Sequence, residues 1–512
     1  MTVGRCLFRC VSRLSAATFL LLSVPLHAQQ SSPGQPIAPA AADPAIAGAL
    51  QQISPDRIRA TIEKLVSFNN RSTLSSMDTD LAPNTGVRAA ASWIESEFKR
   101  TSEACGGCLE VKRDDFVEPP QPGPYARILK PTQITNVYAI LRGTDPAQAA
   151  RMVLVTGHYD SRNTDILDTH NPAPGANDDA SGVAVSLESA RVLSKLKFPA
   201  TIVFVAVAGE EQGLNGSAHL AKLAKSEGWQ LEAVLNNDIV GGDTTPGDTL
   251  QDKTAVRVFS EGIPSDATPQ QIAAIRSLGA ENDSPSRELA RAVADIAASY
   301  FAPTSQRPAP VAPGHAHSMH LQLVPAFHPV LIFRRDRYLR GGDHISFNLE
   351  GFPAVRFTEW RENYDHQHQN VRTENGVQYG DLLPFVDFNY VANVARLNAA
   401  TLATLAAAPG PPENVHILTT VLDNSTQLAW NPPAGMPAGA TYEVVWRATT
   451  DPAWTLSQNA GTATIIRMPI PPDNVIFAVR TVDPGGHRSI AVLPTPVRAA
   501  QKPAPPKSSP KP

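Results

Sequence analysis

Apolar runs alternate with amphipathic stretches through the middle of the chain. Residues 152–155, 201–208 and 233–240 are largely apolar, while 183–196 and 214–227 carry apolar residues at helical spacing. The run TIVFVAVA over 201–208 lacks polar alternation, which is typical of a strand covered on both faces. This pattern predicts a three-layer α/β domain, in which a mostly parallel sheet has helices on both faces.

The same domain extends to both sides of these elements. Ser54 and Pro55 offer an N-cap and a first-turn proline, so a helix is predicted to follow them. Further strands are predicted at 137–141, 330–333 and 354–357, and further helices at 86–100, 285–300 and 381–405. The predicted α/β domain therefore spans residues 51–408.

Residues 243–330 interrupt this alternation. The segment is rich in proline outside the helix predicted at 285–300, and we expect it to be an insertion. His315, His317 and His320 lie in this segment and are residues of a metal-binding type. No predicted strand, helix or carboxylate would hold them in place, so we expect a solvated loop rather than a metal site.

The character of the chain changes at Pro409. Short alternating runs follow, LAW at 428–430, YEVVWR at 442–447 and FAVRTVD at 477–483, with turn residues between them. This spacing predicts a small antiparallel β-sandwich of about 90 residues. The order of these runs over 409–499 resembles a fibronectin type III domain. Such a domain could contact a polymer or a cell surface, or simply act as a spacer.

Both ends of the chain are predicted to lie outside these two domains. Residues 1–28 resemble a secretory signal peptide, because arginines precede an apolar segment that is shorter than the roughly 20 residues of a membrane helix. Residues 29–50 are predicted to be a disordered leader and residues 500–512 a disordered tail. We expect an exported protein, periplasmic or extracellular, with no transmembrane segment after cleavage; a retained amphipathic anchor is the alternative.

Net charge and cysteine content indicate which partners and which cysteine chemistry to expect. The formal net charge is −4 and the sequence has no basic stripe, which argues against a nucleic acid partner. Cys105 and Cys108 are the cysteines that remain after removal of the predicted signal peptide. In an oxidising compartment we expect them to form a local disulfide, although the same spacing occurs in redox motifs and in half of a zinc site.

Residues with metal-binding groups follow the predicted strands. His158 and Asp160 come directly after the run at 152–155 and leave a strand on the same face. A histidine can bind a metal ion through one ring nitrogen while a carboxylate orients the ring through the other. On its own, a structural ion pair between these two side chains is the alternative interpretation.

Asp178 and Asp179 precede the helix predicted at 183–196. Aspartate is a preferred N-cap residue, so one of the two is expected only to cap this helix. A carboxylate can also bridge two cations that lie about 3.5–4 Å apart. We assign Asp178 to such a bridge and Asp179 to the cap.

Glu210 and Glu211 directly follow the buried run at 201–208. Two adjacent carboxylates at the end of a buried strand repel each other unless something neutralises them. A metal ion would do so, with one glutamate as its ligand and the other free to accept a proton from water. A solvated surface pair is the alternative, although it is less expected after so apolar a run.

Asp238 and a histidine near 366–368 complete a possible ligand set. A two-metal site with one bridging carboxylate, plus a histidine and a carboxylate on each ion, needs five protein ligands. The chain offers them in the order His158, Asp178, Glu211, Asp238, and His368 or His366. These residues predict a site for two divalent metal ions, with zinc as the expected metal.

Four motifs resemble those of a known family. They are HYDS at 158–161, PGANDDASG at 174–182, GEEQGLNGS at 209–217 and NND at 236–238. In this order they are similar to the two-zinc exopeptidases that include bacterial leucyl aminopeptidases and glutamate carboxypeptidase. The resemblance extends over about residues 130–400. It implies that Asp178 bridges the ions, with His158 and Glu211 or Asp238 as terminal ligands, that Glu210 is the general base, and that Asp160 orients His158.

The resemblance also bears on the last histidine. That ligand usually begins a His-Thr-x-x-Asp-Thr segment, and the chain from His368 to Thr373 has this length. Arg372 stands where the family has aspartate. The match favours His368 as the ligand, and the departure leaves His366 as an alternative.

Two further matches imply supporting residues. GGDH at 341–344 corresponds to a Ser-Asp-His segment of the family, with Gly342 in place of serine. Asp343 and His344 are therefore expected next to the metal ligands rather than on the metals. Tyr338 lies one residue away from the place of a family tyrosine that stabilises the reaction intermediate.

The implied activity is hydrolysis of a terminal bond in a peptide or protein substrate. Glu210 would accept a proton from a metal-activated water and pass it to the leaving amine. Aminopeptidase action is expected in preference to carboxypeptidase action. Two other classes stay open: a one-zinc acyl transferase similar to glutaminyl cyclase, and a non-catalytic relative that binds a surface.

Overall fold

The computed structural model describes residues 34–302, 326–419 and 424–497. The helices are α1 (Pro44–Gln51), α2 (Pro55–Val66), α3 (Gly86–Ala104), α4 (Ala180–Leu193), α5 (Asn215–Ser226), α6 (Pro269–Leu278), α7 (Pro285–Tyr300), α8 (His344–Leu349) and α9 (Phe388–Ala407). None of these helices is long and apolar enough to cross a membrane.

The strands of the α/β domain and of the sandwich are numbered together. They are β1 (Gln35–Pro36), β2 (Leu109–Glu118), β3 (Thr132–Leu141), β4 (Arg151–His158), β5 (Thr201–Val207), β6 (Gln230–Asn237), β7 (Ala255–Ser260), β8 (His328–Ile332), β9 (Ala354–Glu359), β10 (Arg372–Glu374), β11 (Val377–Tyr379), β12 (Glu413–Leu418), β13 (Thr426–Asn431), β14 (Thr441–Ala448), β15 (Leu456–Gly461), β16 (Ile465–Met468), β17 (Val475–Val482) and β18 (Thr495–Val497).

An eight-stranded sheet forms the centre of the α/β domain, in the order β2-β3-β5-β4-β6-β9-β7-β8. Its middle strands β5, β4, β6 and β9 are parallel to one another. The pairings β2–β3, β3–β5 and β7–β9 are antiparallel. The predicted α/β fold is confirmed, with the parallel arrangement concentrated in the middle of a mixed sheet.

Helices cover both faces of this sheet. Alternate residues of β5 point to opposite faces, so Phe204 joins the core with α2, α3, α4 and α9, while Val205 joins the core with α5 and α8. On the second face, Leu220 of α5 and Phe347 of α8 are fully buried. This two-sided burial explains why the run at 201–208 has no polar alternation.

The expected disordered leader is wrong for residues 34–50. Asp43 caps α1 by accepting hydrogen bonds from the backbone of Ala45 and Ile46, and Pro44 starts the helix. Ile46 and Leu50 are buried in the main core, and β1 pairs with β15. A composition rich in proline and alanine suggested disorder, yet Asp-Pro is also a helix-start signal.

The segment predicted as an insertion over 243–330 contributes strands to the sheet. β7 pairs with both β8 and β9, and Leu289 and Val293 of α7 lie in the main core. The prediction failed because β7 is short and is isolated between polar loops. His315, His317 and His320 lie outside the described residues.

The predicted antiparallel sandwich is confirmed. One sheet has the order β1-β15-β14-β17 and the other β16-β13-β12-β18, in which β18 runs parallel to β12. Trp430, Tyr442 and Phe477 are buried between the sheets. The closer likeness to a fibronectin type III domain stays a prediction. The predicted signal peptide and the tail at 500–512 lie outside the described residues.

Buried polar contacts join the sandwich to the α/β domain. Trp454 donates a hydrogen bond to Glu288 on α7 over 3.0 Å, and Arg480 Nη1 lies 2.7 Å from Asp295 Oδ2 on the same helix. Arg447 also pairs with Asp283 just before that helix. The sandwich is therefore packed on the α/β domain rather than tethered to it.

The turn between α3 and β2 is closed by the predicted disulfide. Cys105 and Cys108 are bonded, and the intervening Gly106 and Gly107 have φ angles of +78° and +85°. Residues with side chains rarely adopt this left-handed conformation, so the two glycines suit a loop this tight.

Candidate metal centre

The middle strands of the sheet bring four of the predicted residues to one edge. His158 is the last residue of β4, Glu210 and Glu211 follow β5, and Asp238 follows β6. The carboxyl ends of neighbouring parallel strands meet at one edge of the sheet, which is the usual place for a ligand site in an α/β fold. Residues far apart in the sequence are thus adjacent in space.

His158, Asp178 and Asp238 form a first group of candidate ligands. One donor atom from each lies within 4.8 Å of the other two, and all three residues are buried. His158 Nε2 is 3.1 Å from Asp178 Oδ1 and 3.9 Å from Asp238 Oδ1. Such a cluster of donor atoms could surround one metal ion.

Asp178, Glu211 and His368 form a second group under the same distance limit. His368 Nε2 is 2.9 Å from Asp178 Oδ2 and 3.1 Å from Glu211 Oε1. Asp178 belongs to both groups, with one carboxylate oxygen toward each histidine. This is the arrangement expected of a carboxylate that bridges two cations.

His366, the alternative ligand, lies outside both groups. Its Nδ1 pairs with Asp243, and its ring stacks on Phe385 with 3.6 Å between the ring centres. His368, two residues later, has a left-handed φ of +58° and faces Asp178 instead. The structure therefore favours His368 and rejects His366 as a metal ligand.

Asp160 and Asp179 support the first group. Asp160 Oδ1 lies 3.3 Å from His158 Nδ1, the ring nitrogen opposite the one near Asp178, which is where a ring-orienting carboxylate belongs. Asp179 accepts hydrogen bonds from the backbone of Gly182 over 2.9 Å and of His158 over 2.9 Å. The assignment of Asp179 to the N-cap of α4 is confirmed.

The donor atoms fit divalent zinc. His158 Nε2 and Glu211 Oε1 are buried and form no hydrogen bond of suitable geometry among the described residues; their polar neighbours at 3.1 Å are other donor atoms of their own groups. Burying polar atoms without hydrogen bonds costs free energy of folding. A bound metal ion would remove that cost for both atoms. A mixture of imidazole nitrogen and carboxylate oxygen is a typical donor set for zinc.

Glu210 belongs to neither ligand group, yet it faces the same cavity as Asp178, Glu211 and Asp238. Removal from water raises the pKa of Glu210 well above its usual value, and the neighbouring carboxylates of Asp238 and Glu211 raise it further. A carboxylate beside the ligands but not among them is able to accept and return a proton.

The loop that carries Asp178 is held by residues that the sequence did not single out. Asp381 accepts hydrogen bonds from the backbone of Asn177 over 2.8 Å and of Asp178 over 2.7 Å. The fully buried guanidinium of Arg71 donates to the carbonyls of Pro174 and Gly175 just before it. These contacts fix the position of the shared carboxylate.

A buried arginine holds Asp238. Arg356 on β9 places Nη2 2.8 Å from Asp238 Oδ1 and Nη1 3.4 Å from Asp336 Oδ2. Asp343 and His344, predicted to support the ligands, are buried and belong to neither group. Burial together with Asp238 raises the pKa of Asp343 to about 7, and burial lowers that of His344 to about 4.

Tyr338 is not placed at the site. Its side chain is 79% exposed, and the guanidinium of Arg334 stacks on its ring. Tyr364 lines the cavity instead. The prediction for Tyr338 is therefore wrong, in keeping with its one-residue offset from the family pattern.

Residues 136–288 match peptidase family M28. A probable zinc metalloprotease of Leptosphaeria maculans is 44% identical over 448 residues, which are 87% of this chain and 96% of that protein. The chain belongs to peptidase family M28. The M28 match covers His158, Asp178, Glu211 and Asp238 but ends before His368, so the last ligand depends on the geometry described above.

Solved structures resemble the M28 chain more distantly. The LapA aminopeptidase of Legionella pneumophila is 20% identical, with 71% of this chain and 74% of that one covered and a TM-score of 0.45. A glutaminyl cyclase of Porphyromonas gingivalis is 17% identical, with 68% and 97% covered and a TM-score of 0.41. Likenesses of this size do not distinguish one activity from the other.

Proposed function

We propose that the protein is a zinc-dependent exopeptidase that holds two metal ions in one site. The observation that carries this proposal is the position of Asp178, whose two oxygens face two different histidines. A one-zinc enzyme would need only one of the two ligand groups. The relatives named probable zinc metalloproteases support zinc as the metal and a peptide bond as the target.

Two sets of residues would each hold one metal ion. His158, Asp178 and Asp238 would hold one ion, and Asp178, Glu211 and His368 the other. When bound, two zinc ions would polarise a substrate carbonyl and lower the pKa of water. Asp160 keeps the His158 ring oriented through Nδ1.

Glu210 would move the proton during hydrolysis. Its carboxylate lines the cavity without belonging to a ligand group, and its pKa is raised. It can therefore accept a proton from the attacking water and return it to the leaving amine, as a general acid–base must. Aminopeptidase action is the form of exopeptidase activity that we propose.

The test is the Glu210→Gln variant assayed on aminoacyl reporters and short peptides with zinc supplied. We expect kcat to fall by about 10²–10⁴-fold, the usual effect of losing a general acid–base, with the zinc content unchanged. Glu103→Gln, on an exposed part of α3, is the matched control and should keep full activity. Full activity in Glu210→Gln would refute the assignment.

We also propose that the chain is exported to the periplasm or the cell exterior. Support comes from the predicted signal peptide at 1–28 and from the disulfide between Cys105 and Cys108, a bond typical of oxidising compartments. Sequencing the N-terminus of the secreted protein tests this proposal. A start soon after Ala28 is expected, and an intact Met1 in a protein retained by the cells would contradict it.

A further inference from the structure

The cavity over the ligand groups is lined by arginines as well as by the carboxylates of the candidate metal centre. Its volume is about 720 Å³, within the range of pockets that enclose small ligands. The guanidinium-bearing residues Arg127, Arg162, Arg337 and Arg340 all line it. The proposed metal binding and proton transfer involve none of these four arginines, so their position around the cavity has to be explained by another role.

The acidic residues of the cavity are already engaged. Those that line it are Asp178, Glu210, Glu211 and Asp238, which are the assigned metal ligands and the proton acceptor. Two divalent ions would balance these four carboxylates. The arginines then leave the cavity wall with a net positive charge.

Two of the four arginines pair with carboxylates outside the cavity lining. Arg337 lies 3.0 Å from Asp336 and also pairs with Glu362. Arg340 lies 3.1 Å from the same glutamate and contacts Gln367. These two side chains are therefore part of a structural network.

Arg127 and Arg162 have no such compensation. Arg127 Nη1 donates to the backbone carbonyl of Glu211 over 3.0 Å. Arg162 donates to the carbonyls of Asn163 over 3.0 Å and Thr164 over 3.2 Å. Among the described residues, neither guanidinium forms an ion pair with a carboxylate. The bond to Glu211 also places Arg127 directly beside a metal ligand.

We propose that Arg127 and Arg162 bind a carboxylate of the substrate close to the bond that is cleaved. The guanidinium fork suits this role, since its N–H groups match the two oxygens of a carboxylate. The inference rests on the proposed peptidase function and deepens it by naming a substrate class. The carboxylate is either the side chain of an acidic terminal residue or the free C-terminus of a short peptide.

Two matched pairs of substrates show whether the bound carboxylate belongs to a side chain or to the C-terminus. Glutamyl and glutaminyl p-nitroanilide differ in a side-chain carboxylate, while Ala-Ala and Ala-Ala-amide differ in the C-terminal one. For the zinc-loaded full chain we expect the carboxylate member of one pair to have a kcat/KM about 10–100-fold higher, mainly through KM, as for a charge-assisted hydrogen bond. The pair that shows the preference identifies the source.

Arginine variants connect the preference to the two side chains. Arg127→Met and Arg162→Met should each reduce the ratio of the preferred pair by about tenfold, and the corresponding lysine variants by less, because lysine keeps the charge but not the fork. Arg100→Met, at an exposed position paired with Glu97, is the control and should keep the wild-type ratio. A wild-type ratio near one in both pairs, or a ratio that survives in both methionine variants, would overturn the inference.

A binding measurement tests the carboxylate subsite independently of the proposed hydrolysis. Calorimetric titration of zinc-loaded Glu210→Gln with the same four compounds needs no turnover. The subsite is supported, even if no peptide is cleaved, if the carboxylate compound of one pair binds more tightly than its neutral partner. This difference should disappear when Arg127→Met is added to Glu210→Gln. Equal affinities within both pairs would overturn it even if peptides are cleaved.

Discussion

Arg356 Nη2 lies 2.8 Å from Asp238 Oδ1, and both side chains are buried. Arg356 also donates to the carbonyl of Gly341 over 2.5 Å and pairs with Asp336. The guanidinium therefore neutralises a proposed zinc ligand, and a bound zinc ion would neutralise the same carboxylate. Its contribution should depend on whether zinc is bound.

The first prediction concerns Arg356→Met. Removing one partner of a buried ion pair typically costs about 3–5 kcal/mol, because the other charge is left unpaired. We expect a loss of this size in the free energy of unfolding of the zinc-free chain, measured by denaturant titration. The loss should be smaller with zinc bound, since the ion then neutralises Asp238.

Arg100→Met is the control for that measurement, because Arg100 is exposed and pairs only at the surface of α3 with Glu97. Its effect should stay within about 0.5 kcal/mol. If Arg356→Met were equally mild in zinc-free protein, the buried pair with Asp238 would not have the role described.

The second prediction separates the two histidines of one loop. His368→Ala removes a donor atom that lies 2.9 Å from Asp178 Oδ2, so we expect zinc affinity at one site to fall at least tenfold. His366→Ala removes a ring stacked on Phe385 and should leave zinc affinity nearly unchanged while lowering the melting temperature. Competitive zinc titration with a chromogenic chelator measures both. The reverse pattern would make His366 the ligand.

The third prediction concerns the attachment of the sandwich. Arg480 is buried between Glu443 of the sandwich and Asp295 of α7, at 2.7 Å from each. Arg480→Met should therefore lower the stability of both domains together, by about 3–5 kcal/mol, in a single calorimetric transition. Arg142→Met, an exposed pair with Glu110, is the control. Two separate transitions, with only one displaced, would indicate a loosely tethered sandwich.

The fourth prediction is a pH dependence centred on His487. Its hydrogen bond to Asp483 raises the pKa of His487, burial opposes this, and Asp43 at the start of α1 adds to the increase. A histidine with a raised pKa in the folded state stabilises the protein fully below its unfolded value of about 6.5. That contribution is lost as pH rises through the folded pKa.

The His487→Gln variant measures this contribution. The melting temperature of the wild type should exceed that of the variant more at pH 6 than at pH 9. His416→Gln, whose ring contacts the backbone carbonyl of Asn414, serves as the control and should show no such trend. A difference that grows toward pH 9 would contradict the assignment of the charged imidazole.

The central strands were predictable because burial on both faces leaves a continuous apolar run, as in 201–208. β2 (Leu109–Glu118) was not, since this edge strand is rich in charged residues and pairs with β3 alone. α1 was missed for a different reason. Its eight residues are stabilised by packing on distant parts of the chain, which composition does not reveal.

The proposed ligands at the strand ends were predictable because each follows an apolar run. The choice of His368 over His366 came only from the family resemblance; the residues alone left it open, since it depends on Asp243 and Phe385, which lie elsewhere in the sequence. Arg356 was missed for the same reason. A single arginine within a short apolar strand forms no motif, and its contact with Asp238 exists only in the folded sheet.

The most direct test of the two-metal account is the zinc stoichiometry of the purified full chain after reconstitution and removal of free metal. Elemental analysis should give two zinc ions per chain in the wild type. In Asp178→Asn both sites should be weakened, because Asp178 belongs to both ligand groups. One zinc ion per wild-type chain, unchanged at saturating zinc, would contradict the account.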